Sequence, residues 1–129
     1  MRLYGIRGAT GAENTKESVT ANVIEMCTKL FADNKVKAED IVSIQFTVTS
    51  DLNVMNPAAA LRRGGDSGID VSNVPLFCSQ EPEIAGSPEK MIRILLTVYL
   101  PENSSVSHVY INGGEKLRPD FAKKKLKTF

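Results

Sequence analysis

Apolar residues recur along this chain with two different periods, and the period changes from segment to segment. In IVSIQFTVTS (41–50), Val42, Ile44, Phe46 and Val48 alternate with Ser43, Gln45, Thr47 and Thr49. A repeat of two is that of a strand whose two faces meet different surroundings. The polar side is rich in hydroxyls rather than charges, which suits a pocket or another subunit better than open water. Earlier in the chain, Val19, Val23, Met26 and Leu30 recur at helical spacing, with Ile24, Cys27 and Phe31 widening the stripe. Asn14 with Glu17 three residues on forms a capping box that starts this helix, and the pattern stops near Asn34. RLYGIRGA (2–9) reads as a first strand, broken in the neighbourhood of Gly8 and Gly11.

Asn56-Pro57 opens a second helix through AAALRR, with Asn as the cap and Pro at the first helical position, and Gly64-Gly65 stops it. GGDSGIDVSN (64–73) is a loop by composition. VPLFCSQ (74–80) is a short strand, and Pro82 to Pro88 is rich in turn residues. MIRILLTVYL (91–100) is a long strand, joined by PENSS to another in SVSHVYI. Both faces of 91–100 are largely apolar, which predicts a sheet covered on both sides. Several connections are short enough for hairpins, and there is no internal repeat or linker. The expected fold class is therefore α+β: a single domain over residues 1–129, with one mixed β-sheet and helices packed on one face. From about residue 119 the chain becomes a basic tail ending in KKKLKTF, expected to be solvated.

Composition narrows the function by exclusion. The chain has 129 residues, which fits one compact domain. Sixteen basic against 15 acidic residues leave a net charge of +1, which makes no case for nucleic acid or an anionic membrane surface as a partner. No apolar run approaches the roughly 18 residues of a membrane span, and MRLYGIRGAT lacks the apolar core of a signal peptide. Cys27 and Cys78 form neither CxxC nor a metal-ligand spacing, so a reduced, cytoplasmic protein is expected. With one histidine, His108, and no GxGxxG or phosphate-binding loop, neither a metal nor a nucleotide cofactor is expected.

The residue out of place is Arg93, third in the apolar run MIRILLTVYL. An unpaired guanidinium in a sheet interior costs several kcal/mol, so Arg93 needs an anion. That anion is either a carboxylate on an adjacent strand, a structural ion pair, or a ligand. Other residues bear on the choice. Arg7 ends a strand in IRGAT, Glu81 follows the strand of CSQE with Cys78 three residues before it, Tyr110 lies in HVYI, and Arg118 lies in LRPD. Singly, these read as a surface arginine, a solvated loop acid, a small buried thiol, a strand aromatic and a charge near a proline. His108 reads as structural, having no second histidine or thiol to pair with.

Taken together, IRGAT, NPAAALR, CSQE, MIRILLTVYL, HVYI and LRPD, in this order and spacing, resemble the small monofunctional trimeric chorismate mutases of the bacterial AroH type. The resemblance runs from Arg7 to Asp120. It implies a pseudo-α/β-barrel homotrimer with active sites between subunits, no cofactor, and the conversion of chorismate to prephenate. By the same resemblance, Arg93 faces the ether oxygen of the breaking bond. Glu81 accepts the substrate hydroxyl's hydrogen bond and steadies Arg93, and Cys78 adds a further contact. Arg7 grips a carboxylate, with Tyr110 near one. Arg118 with Leu117, and Arg62 from a neighbour's helix, belong to the pocket and its mouth. Departures from the family pattern concentrate at that mouth: Asn56, Ala59, a longer 64–73 loop, Phe77 before the cysteine, and Arg63 as a second candidate for the Arg62 role. Two other functions compete. One is a trimeric Rid-like protein that binds small molecules or hydrolyses imines, and the other is a regulatory module that keeps the fold without the activity. The first leaves the pairing of Cys78 with Glu81 and that of HVY with LRPD unexplained.

Overall fold

The computed structural model describes residues 1–120. Its elements are β1 (Arg2–Gly11), α1 (Lys16–Asp33), β2 (Ile41–Val48), α2 (Pro57–Arg63), β3 (Leu76–Gln80), β4 (Met91–Leu100) and β5 (Val109–Ile111). The five strands form one mixed sheet in the order β3-β2-β4-β1-β5. β4 runs antiparallel to both β1 and β2, while β3 is parallel to β2 and β5 to β1. This is the expected α+β class.

The helices form where the apolar stripes require them. Val19, Val23, Met26, Cys27, Leu30 and Phe31 of α1 are buried, as are Pro57, Ala58, Ala60 and Leu61 of α2. They join Ile6, Ile44, Phe46, Ile92, Ile94, Leu96 and Val98 of the sheet in one core. Asn56 caps α2 through Ala58 N–H with Pro57 at its start, as read. The cap of α1 is one residue later than expected. Thr15 Oγ1 accepts from Ser18 N–H at 3.1 Å, and Ser18 Oγ accepts from Glu13 N–H at 2.8 Å. Asn14 is diverted to Asn53, exchanging two bonds of 3.0 Å that tie the loop after β1 to the loop after β2.

Five other expectations change. No hairpin forms among the described residues. β1 occupies one edge of β4 over ten residue pairs and β2 occupies the other, so β5 can only add beyond β1. The chain after β4 is led round by the Tyr4 hydroxyl, which accepts from Ser104 N–H at 3.1 Å. Asn34 brackets Ser107 with bonds of 2.9 and 2.7 Å. These tethers hold the expected strand over SVSHVYI to three residues. A bulge at Val42 carries Ile41 into the core and leaves Val42 exposed, so the alternation starts one residue out of step. β3 begins after Pro75, which has no N–H to give to the ladder. Finally, only one face of the sheet is covered by the described residues. Both helices lie on the core side, and Leu3, Leu95, Tyr99 and Phe77 are exposed on the other. The basic tail lies almost wholly outside the described residues.

Candidate active site

The uncovered face of the sheet carries the charged side chains, because alternation puts the apolar ones against the helices. On β4, Ile92 and Ile94 point into the core and Arg93 points out. Register sets its neighbours: Thr47 on β2 lies opposite Arg93, Ala9 of β1 lies on its other side, and Tyr110 of β5 pairs with Ala9. Arg7 lies two residues back along β1, on the same face and opposite Leu95. Glu81 follows β3, and its N–H donates to Val48 O at 2.9 Å, extending that strand by one residue.

The partner of Arg93 is Glu81. Arg93 Nε lies 3.3 Å from Glu81 Oε1, and the same oxygen accepts a hydrogen bond from Thr47 Oγ1. The Glu81 side chain is 19% exposed and that of Arg93 45%, so the acid is sheltered while the guanidinium keeps an open side. Arg93 is therefore paired without being enclosed. It has a structural partner, and it lines a cavity of about 260 Å3 with Arg7, Gln45, Thr47, Glu81, Leu95, Tyr110, Leu117 and Arg118.

The electrostatics of this cavity suit an anion. Three guanidiniums against one carboxylate leave a net charge of +2 on its lining. Arg118 is held by Asp120 through bonds of 3.1 and 2.8 Å. Among the described residues Arg7 has no carboxylate within ion-pair distance, so its charge is available to a ligand. Tyr110 is half-buried, and that burial raises its phenol above the ordinary range, so it stays a hydrogen-bond donor at neutral pH. A second cavity of about 330 Å3 shares Glu81, Arg93 and Leu117 but is walled by Asp51, Glu83 and Glu89. Its carboxylates give it the wrong sign for an anionic ligand, although it is the larger of the two. Among the described residues no three His, Cys, Asp or Glu side chains converge to hold a metal ion.

Six of the eight residues singled out from the sequence thus meet at one cavity: Arg7, Glu81, Arg93, Tyr110, Leu117 and Arg118. Two do not. Cys78 pairs with Phe46, packs half-buried on the core side of β3, and has its thiol pKa raised by that burial. Arg62, like Arg63, is exposed at the end of α2, in the helical layer. His108 stands behind the site, its Nδ1 accepting the Arg7 backbone N–H at 3.0 Å. Gln45 and Thr47 line the cavity without having been read as site residues. The signal was present in the polar side of β2, but alternation names a face and not the group it serves.

The chain is similar to known proteins over almost its whole length. The family model for chorismate mutase type I matches residues 3–121. Chorismate mutase AroH of Bacillus subtilis is 35% identical over 125 residues, covering 95% of this chain and 94% of that protein. Its namesake from Thermus thermophilus is 35% identical over 122 residues, covering 92% and 95%. Among solved structures, a chorismate mutase from Clostridium thermocellum superposes with a TM-score of 0.78 at 34% identity, covering 88% of this chain and 98% of that one. The match of the family model from residue 3 to residue 121, with relatives 35% identical over more than nine-tenths of the chain, makes this protein a member of the chorismate mutase type I family.

Proposed function

We propose that in this chorismate mutase the catalytic work falls on Arg93, with Glu81 behind it. The reaction isomerises chorismate to prephenate, a step of aromatic amino-acid biosynthesis on the way to phenylalanine and tyrosine. It is pericyclic: a C–O bond breaks as a C–C bond forms, with no nucleophile and no required proton transfer. The enzyme has two tasks. It must hold a dianion in its compact, pseudo-diaxial conformer, an orientation effect. It must also meet the partial negative charge that grows on the ether oxygen, which a fixed guanidinium does without reorganising. Arg93 supplies that guanidinium from a rigid strand. Glu81 offsets the cost of sheltering it and accepts the substrate hydroxyl. Arg7, with Tyr110 beside it, binds a carboxylate, and Arg118 and Leu117 close the mouth.

The observation that carries this reading is the ion pair of Glu81 with Arg93 inside a cavity of net positive charge. We further propose that the chain acts as one domain in a cytoplasmic pseudo-barrel homotrimer. No helix among the described residues is long and apolar enough to cross a membrane. Arg62 and Cys78 stand outside the cavity of their own chain, and would reach a site only across a subunit boundary. The exposed Leu95, Tyr99 and Phe77 support such a contact. The imine-hydrolysing alternative is not favoured, because the family match runs almost the whole chain.

The test is loss of chorismate absorbance with prephenate identified as product, in the wild type and in Arg93→Lys. Lysine keeps the charge but not the planar fork that serves Glu81 and substrate together. Turnover is expected to fall about 10²–10³-fold, the cost of losing one preorganised donor, with KM changing less. Near-normal turnover in a folded Arg93→Lys protein would return Arg93 to a structural ion pair.

A further inference from the structure

We propose that Thr47 is a positioning residue for the rearrangement: its hydroxyl holds the Glu81 carboxylate so that one oxygen restrains Arg93 and the other stays open to substrate. The inference rests on the roles given above to Arg93 and Glu81, and adds the group that sets their geometry. Glu81 lies just past the end of β3, where its backbone is fixed by Val48 O but its side chain has no strand partner beyond it. A carboxylate beside a guanidinium tends to close into a two-oxygen, fork-to-fork pair. That pairing would consume both Glu81 oxygens and two Arg93 donors, leaving little for a ligand.

The structure has a different arrangement. Thr47 Oγ1 donates to Oε1, Arg93 Nε lies 3.3 Å from the same oxygen as an ion pair rather than a hydrogen bond, and among the described residues Oε2 accepts no hydrogen bond. With the hydroxyl engaging Oε1, Oε2 keeps its acceptor capacity for substrate, and Arg93 spends no hydrogen bond on the carboxylate. Register explains why the donor comes from position 47. Thr47 is the cross-strand neighbour of Arg93 on β4 and of Ser79 on β3, two residues before Glu81. A β-branched side chain on a strand has little rotamer freedom, so the hydroxyl is aimed before substrate arrives. A hydrogen bond to an ionised acceptor is also stronger than a neutral one. Valine would keep the shape of the side chain and lose the donor, whereas serine would keep the donor.

The experiment compares kcat and KM for Thr47→Val, Thr47→Ala and Thr47→Ser, each also placed in a Glu81→Ala background, with thermal melts to establish folding. Thr47→Val and Thr47→Ala are expected to lower kcat on the order of ten- to a hundred-fold, the effect of losing a hydrogen bond to a charged group, with KM shifted less. Thr47→Ser should stay within a few-fold of wild type. In the Glu81→Ala background the Thr47 changes should have almost no further effect, because the group they act through is gone. Wild-type turnover in folded Thr47→Val or Thr47→Ala, a Thr47→Ser protein as slow as Thr47→Val, or full additivity with Glu81→Ala would each overturn the proposal. Failure of the parent reading looks different: Glu81→Ala and Arg93→Lys would themselves turn over normally.

Discussion

His108 is bound to Arg7 through an acceptor that only an Nδ1 without a proton can offer. The Arg7 N–H reaches that nitrogen at 3.0 Å. Burial lowers the His108 pKa below its usual 6.5, and the Arg7 and Arg118 charges lower it further. In the folded protein His108 therefore binds its proton at lower pH than in the unfolded chain. The associated stability is fully present above about pH 6.5 and is lost as pH falls through the folded-state value. Melting temperature should be flat on the neutral side and decline below about pH 6.5, with a smaller decline in His108→Asn, whose amide oxygen can replace Nδ1 as acceptor. An identical decline in the variant would assign the pH dependence to other groups. At this scale the sequence was informative where a residue broke a pattern. Arg93 interrupts an apolar run and was legible for that reason. Thr47 breaks nothing, being one hydroxyl among Ser43, Thr47 and Thr49, and only its contact with Glu81 distinguishes it.

Among the elements, β5 is the one the site can least spare and the one most weakly held. It has three residues, an edge position, and a parallel pairing with Gly8, Ala9 and Thr10. It presents Tyr110 to the cavity, and His108 just before it bonds to Arg7. Close approach of the two backbones depends on the missing side chain at Gly8: a Cβ there would sit 2.7 Å from Val109 O and 3.0 Å from Ile94 Cγ2. Gly8→Ala should therefore push β5 off β1 and cost about 1–3 kcal/mol of stability, as overpacking does, and should raise KM because Arg7 and Tyr110 part. A denaturant titration and steady-state kinetics on one preparation check both. Unchanged stability would mean that β5 yields without strain. The order of strands could not be read from the sequence. A short connection such as PENSS suggests a hairpin, but pairing is decided by which strand edges remain open, and β1 and β2 had already taken both edges of β4.

For the molecule as a whole, the uncovered face of the sheet is the unfinished part. Leu95 and Tyr99 are 40% and 45% exposed beside the cavity, and Phe77 is 64% exposed on the edge strand β3. In the proposed trimer these residues are covered, and each site takes Arg93 from one subunit and Arg62 from the next. Two inactive variants should then complement each other. Arg93→Ala and Arg62→Ala chains, unfolded together and refolded, should regain activity in about a quarter of the sites, those where both arginines survive at one boundary. Sedimentation should show a three-chain species throughout. A fully active monomer, or no recovery on mixing, would rule out shared sites.

The sequence by itself determined what depends on local order. The repeat of two in β2, the stripe of α1, the Asn-Pro start of α2 and the motif series from IRGAT to LRPD are properties of neighbouring or ordered positions, and they gave the α+β class and the family. The tertiary structure alone decided what depends on residues far apart meeting across strands. It brought Arg93 to Glu81 and Thr47, put Arg7, Tyr110 and Arg118 around one cavity, and left Cys78 and Arg62 outside it. The physical reason is register. A period of two assigns a side chain to a face of the sheet, but the charge it meets there is set by the strand alongside and by the residue opposite, neither of which is written in local spacing.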